Sequence, residues 1–160
     1  MHRSRTSLAD NVRAASAKLL QPRLAEAIDL KLQAKQAHWN VKGPDFIQLH
    51  ELFDQTATLA EGYVDLIAER ITTLGGTAEG TLQAVRERTS LQAYPLDIYE
   101  GPAHLDKVAN ALAAFGKSVR AGIDEADGVG DVDTADLLTE ISRGVGKQLW
   151  FVEAHLQAER

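Results

Sequence analysis

The sequence predicts an all-α fold: a four-helix bundle with a short extra helix in one long crossover connection. Three observations predict it. Four long stretches carry apolar residues at helical spacing, and none reads convincingly as a strand. The composition is rich in Ala, Leu, Glu, Gln and Arg, with only four prolines. Breaks containing Gly or Pro separate the stretches. At 160 residues the chain is long enough for one domain with a full core, and 44% apolar with 25% charged residues is an ordinary globular balance.

The first helix is expected from Asp10 to Val41, with Ala17, Leu20, Leu24, Ala27, Ile28 and Ala34 forming its apolar stripe. Pro22 either kinks this helix or marks the start of its regular part. Gly43-Pro44 breaks the chain, and Asp45 is placed to cap the second helix. That helix is expected from Phe46 to Leu74, where residues such as Phe53, Ala60, Ile67 and Ile71 share one face. Gly75-Gly76 ends it. Residues 77–101 form a long connection with a short helix over Thr81–Arg88 and a break at Tyr94-Pro95. A connection of this length can cross the end of a bundle. The third long helix runs from Pro102, a good first-turn residue, to Ala126. The fourth starts near Asp133-Thr134, whose side chains can cap it, and reaches Leu156. Residues 1–12 read as a flexible basic tail and residues 13–160 as the bundle domain.

Composition excludes several chemistries. There is no cysteine, hence no disulfide, thiolate metal site or thiol nucleophile. No apolar run approaches the roughly 18 to 20 residues that span a bilayer. The polar start, Met1-His2-Arg3-Ser4-Arg5-Thr6, is not followed by a signal-peptide core, so a soluble cytoplasmic protein with no membrane partner is expected. The net charge of -6 argues against the body being a general nucleic-acid binder. The charge is uneven: residues 1–24 hold Arg3, Arg5, Arg13, Lys18 and Arg23 against Asp10 alone, whereas residues 121–142 are acidic with no Lys or Arg.

The chemistry concentrates in His38, His50, Asp54, Asp65 and Glu69. On the second helix, His50/Asp54 and Asp65/Glu69 are i,i+4 pairs, and all four fall within a strip about 100° wide that flanks the apolar stripe. His38 lies five residues before Gly43 and His50 seven after it, so a hairpin there brings both imidazoles to similar height. Imidazole with carboxylate suits Fe, Mn or Zn rather than Mg or Ca. The two pairs cannot share a site in one chain: Asp54 and Asp65 are 11 residues apart, roughly 16 Å along a helix axis. However, His50 and Glu69, and likewise Asp54 and Asp65, are placed symmetrically about a single point of the helix. Two copies packed antiparallel about a twofold axis would set His50 opposite the second copy's residue 69, and Asp54 opposite its residue 65. Each such dimer would hold two equivalent sites. Any one i,i+4 pair alone is more often surface decoration or a salt-bridge partner; four such residues on one strip, with a fifth at matching height, weigh against that.

These residues sit in Lys35-Gln36-Ala37-His38-Trp39-Asn40-Val41-Lys42-Gly43-Pro44-Asp45-Phe46, in Leu49-His50-Glu51-Leu52-Phe53-Asp54 and in Asp65-Leu66-Ile67-Ala68-Glu69-Arg70. Residues and gaps together resemble the signature of the Dps family of ferritin-like miniferritins, and the likeness continues through Leu74-Gly75-Gly76, Thr134-Ala135-Asp136, Ile141-Ser142-Arg143 and Leu149-Trp150-Phe151. The resemblance implies a dodecameric homo-oligomer built from twofold dimers, with a ferroxidase centre of His38, His50, Asp54, Asp65 and Glu69 between subunits. It implies that ferrous iron is oxidised, by hydrogen peroxide in preference to O2, and stored as mineral, which protects against oxidative stress. No organic cofactor is implied. The resemblance gives Trp39 a role near the centre, as a sacrificial electron donor; the alternative is a core or interface aromatic. It places Asp136, and with it Asp133, Asp131 and Asp127, along an iron-entry pore; the alternative is a solvated helix N-terminus, where acids are favourable. Where the family often has Asp-Lys before its Leu-Trp segment, this chain has Gly146-Lys147. Gly144 and Gly146 within a helix are each expected to cost up to ~1 kcal/mol. His2, His104 and His155 read as structural or surface residues. Two other functions fit the sequence: a nucleoid protein that binds and compacts DNA through Arg3, Arg5 and Arg13 with little redox role, and a purely structural helical bundle.

Overall fold

The structure, a computed structural model, describes residues 1–157. It contains α1 (Asp10–Asn40), α2 (Phe46–Thr73), α3 (Leu82–Arg88), α4 (Gly101–Gly128) and α5 (Val132–Ala154). Helix α1 packs against α2, and α4 against α5; α1–α4 and α2–α5 contacts close the bundle, and α3 lies against α1. Phe53, Ile67 and Ile71 from α2 meet Leu20, Leu24 and Leu30 from α1, Leu112 and Phe115 from α4, and Leu138 and Ile141 from α5, in a core shielded from solvent. Each such side chain contributes about 1.5–3 kcal/mol through burial.

Helix α1 runs unbroken through Pro22, which neither starts nor ends it. The crossover between α2 and α4 is pegged along one edge of α1. Gln21 donates to the Thr77 carbonyl (2.7 Å), Thr89 and Ser90 donate to Asp29 (2.7 Å) and Glu26 (2.6 Å), and Gln33 donates to the Gln92 carbonyl (3.0 Å). Farther on, the Lys42 N–H donates to the Tyr99 carbonyl (2.8 Å). Successive polar residues of α1 thus lay the connection along the helix, which lets α4 enter the bundle on the far side of α1 from α2.

Two caps differ from expectation. Asp45 occupies the α2 N-cap position, but its side chain makes no capping bond; the Phe46 N–H turns back to the Gly43 carbonyl instead (3.1 Å). At α5 the cap is Asp131, which accepts from the Thr134 N–H (3.1 Å) and hydroxyl (2.7 Å), rather than Asp133 or Thr134. Gly75 ends α2 at φ +90°, in the left-handed region that glycine enters without strain.

The first twelve residues touch the bundle at two places. The His2 N–H donates to the Gly75 carbonyl (2.7 Å), and α1 already starts at Asp10. Arg13 is only 4% exposed; its guanidinium donates to the Leu74 carbonyl (2.7 Å) and pairs with Asp10 (2.7 Å). Those donors are thus engaged at the C-terminus of α2 within the fold.

The two helical glycines of α5 have opposite surroundings. A Cβ at Gly144 would overlap the Tyr63 hydroxyl, whereas one at Gly146 meets nothing. Gly144 admits a buried Tyr63 between α2 and α5; Gly146 carries only the backbone cost. Gly144→Ala is therefore expected to destabilise by about 1–3 kcal/mol through overpacking, and Gly146→Ala to stabilise by up to ~1 kcal/mol. Thermal unfolding at fixed protein concentration measures both, and a stabilising Gly144→Ala contradicts the packing account.

Candidate metal centre

The α1–α2 hairpin brings two imidazoles into contact. The rings of His38 and His50 stack, with centroids 3.7 Å apart and planes inclined by 21°. Their hydrogen bonds are reciprocal: His38 Nδ1 meets the His50 carbonyl at 2.7 Å, and His50 Nδ1 meets the His38 carbonyl at 2.7 Å. A carbonyl only accepts, so each Nδ1 carries the proton and donates. Nε2 of each ring is thereby left free of the carbonyls, and it is the nitrogen through which a neutral imidazole held this way binds a metal. Both rings are half-buried, and Phe46 flanks His50 at 5.1 Å.

Asp54 stands one turn along α2 and is held by Lys35 of α1 in an ion pair. The Lys35 hydrogen bond keeps the Asp54 carboxyl below its ordinary value against an opposing desolvation, and the nearby positive charge of Lys35 adds a smaller pull the same way. Lys31 and Glu61 form a parallel bridge at 2.7 Å. Lys35 carried no assigned role in the sequence, although its i,i+3 spacing to His38 puts it on the same face of α1.

Asp65 and Glu69 lie exposed toward the C-terminal end of the same helix. Among the described residues, no group of three or more His, Asp or Glu side chains is close enough to hold a metal ion. The chain therefore unites His38 with His50, places Asp54 beside them, and leaves Asp65 and Glu69 apart. Trp39, next to His38, is 65% exposed and so is no core aromatic within the single chain. Trp150 is 59% exposed rather than packed inside.

The acidic segment divides into two kinds of residue. Asp127, Asp133 and Asp136 are exposed. Asp131 is fully buried (0%) and is bridged by Arg70 at 2.7 Å besides capping α5. A carboxylate so enclosed offers no face to solvent. Arg3 and Arg5 are exposed. His104 is buried against Tyr94, whereas His2 and His155 lie at the surface.

Comparison with known proteins fits this geometry. A family profile for the ferritin-like domain matches residues 17–160. The chain is 46% identical over 156 residues to the DNA protection during starvation protein of Agrobacterium fabrum, covering 98% of this chain and 96% of that one. The structure superposes with a TM-score of 0.91 on Mycobacterium smegmatis Dps at 34% identity, covering 98% of this chain and 96% of the other. It also superposes with a TM-score of 0.89 on Dps from Microbacterium arborescens in its high iron form at 35% identity, covering 97% and 100%. No helix among the described residues is long and apolar enough to cross a membrane.

The Asp131 network gives a pH dependence. Burial pushes the Asp131 carboxyl up, but the Thr134 hydrogen bonds, the Ser16 hydroxyl and the Arg70 charge together outweigh it and hold the group below its ordinary value. With the folded value below the unfolded one, the stabilisation is complete above about pH 5, where an unfolded Asp is almost wholly ionised, and drains as pH falls through the lower folded value. Asp131→Ala also leaves the largely buried Arg70 uncompensated, at a cost of about 3 kcal/mol. Unfolding curves at neutral and acid pH should converge for the variant and the parent as acidity rises; a gap that stays constant rules the network out.

Proposed function

Because the chain belongs to the Dps family of ferritin-like proteins, we propose that it is an intersubunit ferroxidase that takes ferrous iron as substrate and stores the ferric product as mineral within an oligomeric shell. The observation that carries this reading is the reciprocal His38–His50 pair, which leaves two Nε2 atoms free of the carbonyls beside Asp54 on a helix whose other end bears Asp65 and Glu69. The high iron form of the Microbacterium relative supports iron as the metal.

An antiparallel second copy of α2 supplies the missing carboxylates. The stripe between the two pairs supports close approach: Thr58 and Gly62 are exposed, and a Cβ at Gly62 would meet nothing. Leu66 adds exposed apolar surface to the same face. The His38 and His50 carbonyls hold the rings in one orientation, with Nδ1 engaged and Nε2 turned toward the metal position. Asp54 is already ionised, and iron must displace Lys35 from it. The ammonium thereby keeps the carboxylate paired until a doubly charged cation outcompetes it. In the reaction two ferrous ions give up one electron each. Hydrogen peroxide takes both, its O–O bond breaks, and two protons complete two waters. Paired electron delivery avoids hydroxyl radical. Twelve subunits around such dimers form the shell, and exposed Asp127, Asp133 and Asp136 draw cations toward its entry pores. Trp39, exposed beside His38, lies where the second copy would cover it.

A second reading, DNA association, draws on the name of the Agrobacterium relative and on exposed Arg3 and Arg5. A gel shift at low salt that vanishes in Arg3→Ala/Arg5→Ala supports this reading; an unchanged shift discards it.

The decisive test is complementation. Subunits carrying His50→Ala/Asp54→Ala are co-assembled with subunits carrying Asp65→Ala/Glu69→Ala. Each parent assembly should lack peroxide-dependent Fe(II) oxidation. Each mixed dimer contains one site with all lesions and one intact site, so activity should return in the mixture. Mixed assemblies of native size that stay inactive refute the intersubunit centre.

A further inference from the structure

A phenol–imidazole pair lies inside the fold at the junction of the crossover with α4. Tyr94 precedes Pro95, and His104 sits in the first turns of α4, only 1% exposed. The Tyr94 hydroxyl and His104 Nδ1 are 2.6 Å apart, and the two rings are 18° from parallel. Nε2 of His104 is enclosed without a hydrogen-bond partner of sound geometry.

Burial holds the His104 imidazole below its ordinary value, with the Ile98 backbone pulling the other way, and burial pushes the Tyr94 phenol up. At neutral pH the phenol therefore keeps its proton and the imidazole is neutral. The phenol O–H donates, Nδ1 accepts, and the ring's own proton sits on Nε2. This short bond, with the imidazole enclosed and the phenol at the edge of the core, can pass a proton.

On one side, the Phe53 ring lies 6.2 Å from His104, and Phe53 directly precedes Asp54. On the other, Tyr94 lines a cavity of about 560 Å³ with Lys107 and Asn110, wide enough for a small solute. The pair thus spans from the core next to the candidate centre to a solvent-connected pocket.

We propose that Tyr94, with His104 as its proton acceptor, is a reversible one-electron donor that quenches oxidants of the hydroxyl-radical class. Such an oxidant arises when a single ferrous ion reduces hydrogen peroxide by one electron. That source rests on the iron reading above; the donor pair itself does not. Tyr94 gives up one electron, and its phenolic proton moves along the hydrogen bond to His104 Nδ1. The products are a neutral phenoxyl radical and an imidazolium protonated on both nitrogens. The hydroxyl radical gains the electron and a solvent proton and leaves as water. A small one-electron reductant such as ascorbate, entering the cavity, returns the electron, and His104 returns the proton. Without His104, electron loss would leave a strongly acidic phenol radical cation with no base hydrogen-bonded to it, so His104 is a positioning residue and Tyr94 the donor.

The test uses the full-length assembled protein in two arms. In the first, Fe(II) and hydrogen peroxide are mixed, freeze-quenched and read by electron paramagnetic resonance. In the second, metal-free protein is oxidised by photogenerated ruthenium(III) trisbipyridine, which needs no iron centre. The parent should show a tyrosyl signal that ascorbate erases. Tyr94→Phe should lose most of it in both arms, and Tyr63→Phe and Tyr99→Phe should keep it. His104→Gln, checked for native unfolding temperature, should form the radical several-fold more slowly; His104→Asn serves if that variant misfolds. A signal in the ruthenium arm alone supports the pair while removing iron as the oxidant's source. An undiminished signal in Tyr94→Phe overturns the proposal, and an unchanged rate in both His104 variants overturns the proton-acceptor role.

Discussion

A straight α-helix cannot bring its own two ends together, and the organisation of this protein stems from that constraint. Helix α2 runs unbroken from Phe46 to Thr73, so a rise of about 1.5 Å per residue keeps Asp54 and Asp65 far beyond the reach of one metal ion. The side chains that share the His38 end are therefore only those the α1 hairpin can deliver: His38 itself and Lys35. Helix α1 supplies an imidazole that stacks on His50 and an ammonium that pairs with Asp54. The cluster is thus hydrogen-bonded and charge-compensated within the single chain.

The buried polar groups obey one logic with two outcomes. Around Asp131, the Thr134 N–H and hydroxyl and the Arg70 guanidinium all converge on the carboxylate, and the result is a rigid α4–α5 turn. At His104, one nitrogen is bonded and the other is not. A buried polar atom left unpaired costs stability, while the other nitrogen meets the Tyr94 hydroxyl and the ring lies against Phe53.

Small residues set how closely the helices approach. Gly144 makes room for Tyr63, and the open space at Gly62 leaves α2 a flat outer surface. Gly146 admits no neighbour at all. Two glycines two residues apart in one helix thus differ wholly in purpose, a difference visible only from what surrounds them.

The sequence by itself determined the bundle, its four long helices and short fifth one, and the spacing of His38, His50, Asp54, Asp65 and Glu69 along two of them. Each of these depends on periodicity and spacing along a helix, and a regular helix converts sequence position directly into height and angle. The apolar stripe of α2 and the mirror placement of His50/Asp54 against Asp65/Glu69 are facts of that kind. Only the tertiary structure decided what depends on contacts between segments distant in sequence. Asp131 became a buried cap because Arg70, 61 residues away, reaches it. Arg13 joined the core because the α2 C-terminus, with its free carbonyl at Leu74, packs beside it. The tautomers of His38 and His50 were settled by carbonyls across the hairpin, and the Tyr94–His104 pair by where the crossover docks on α4. Local pattern carries no information about which buried donor will find which acceptor, because that pairing is chosen by the packing of whole elements.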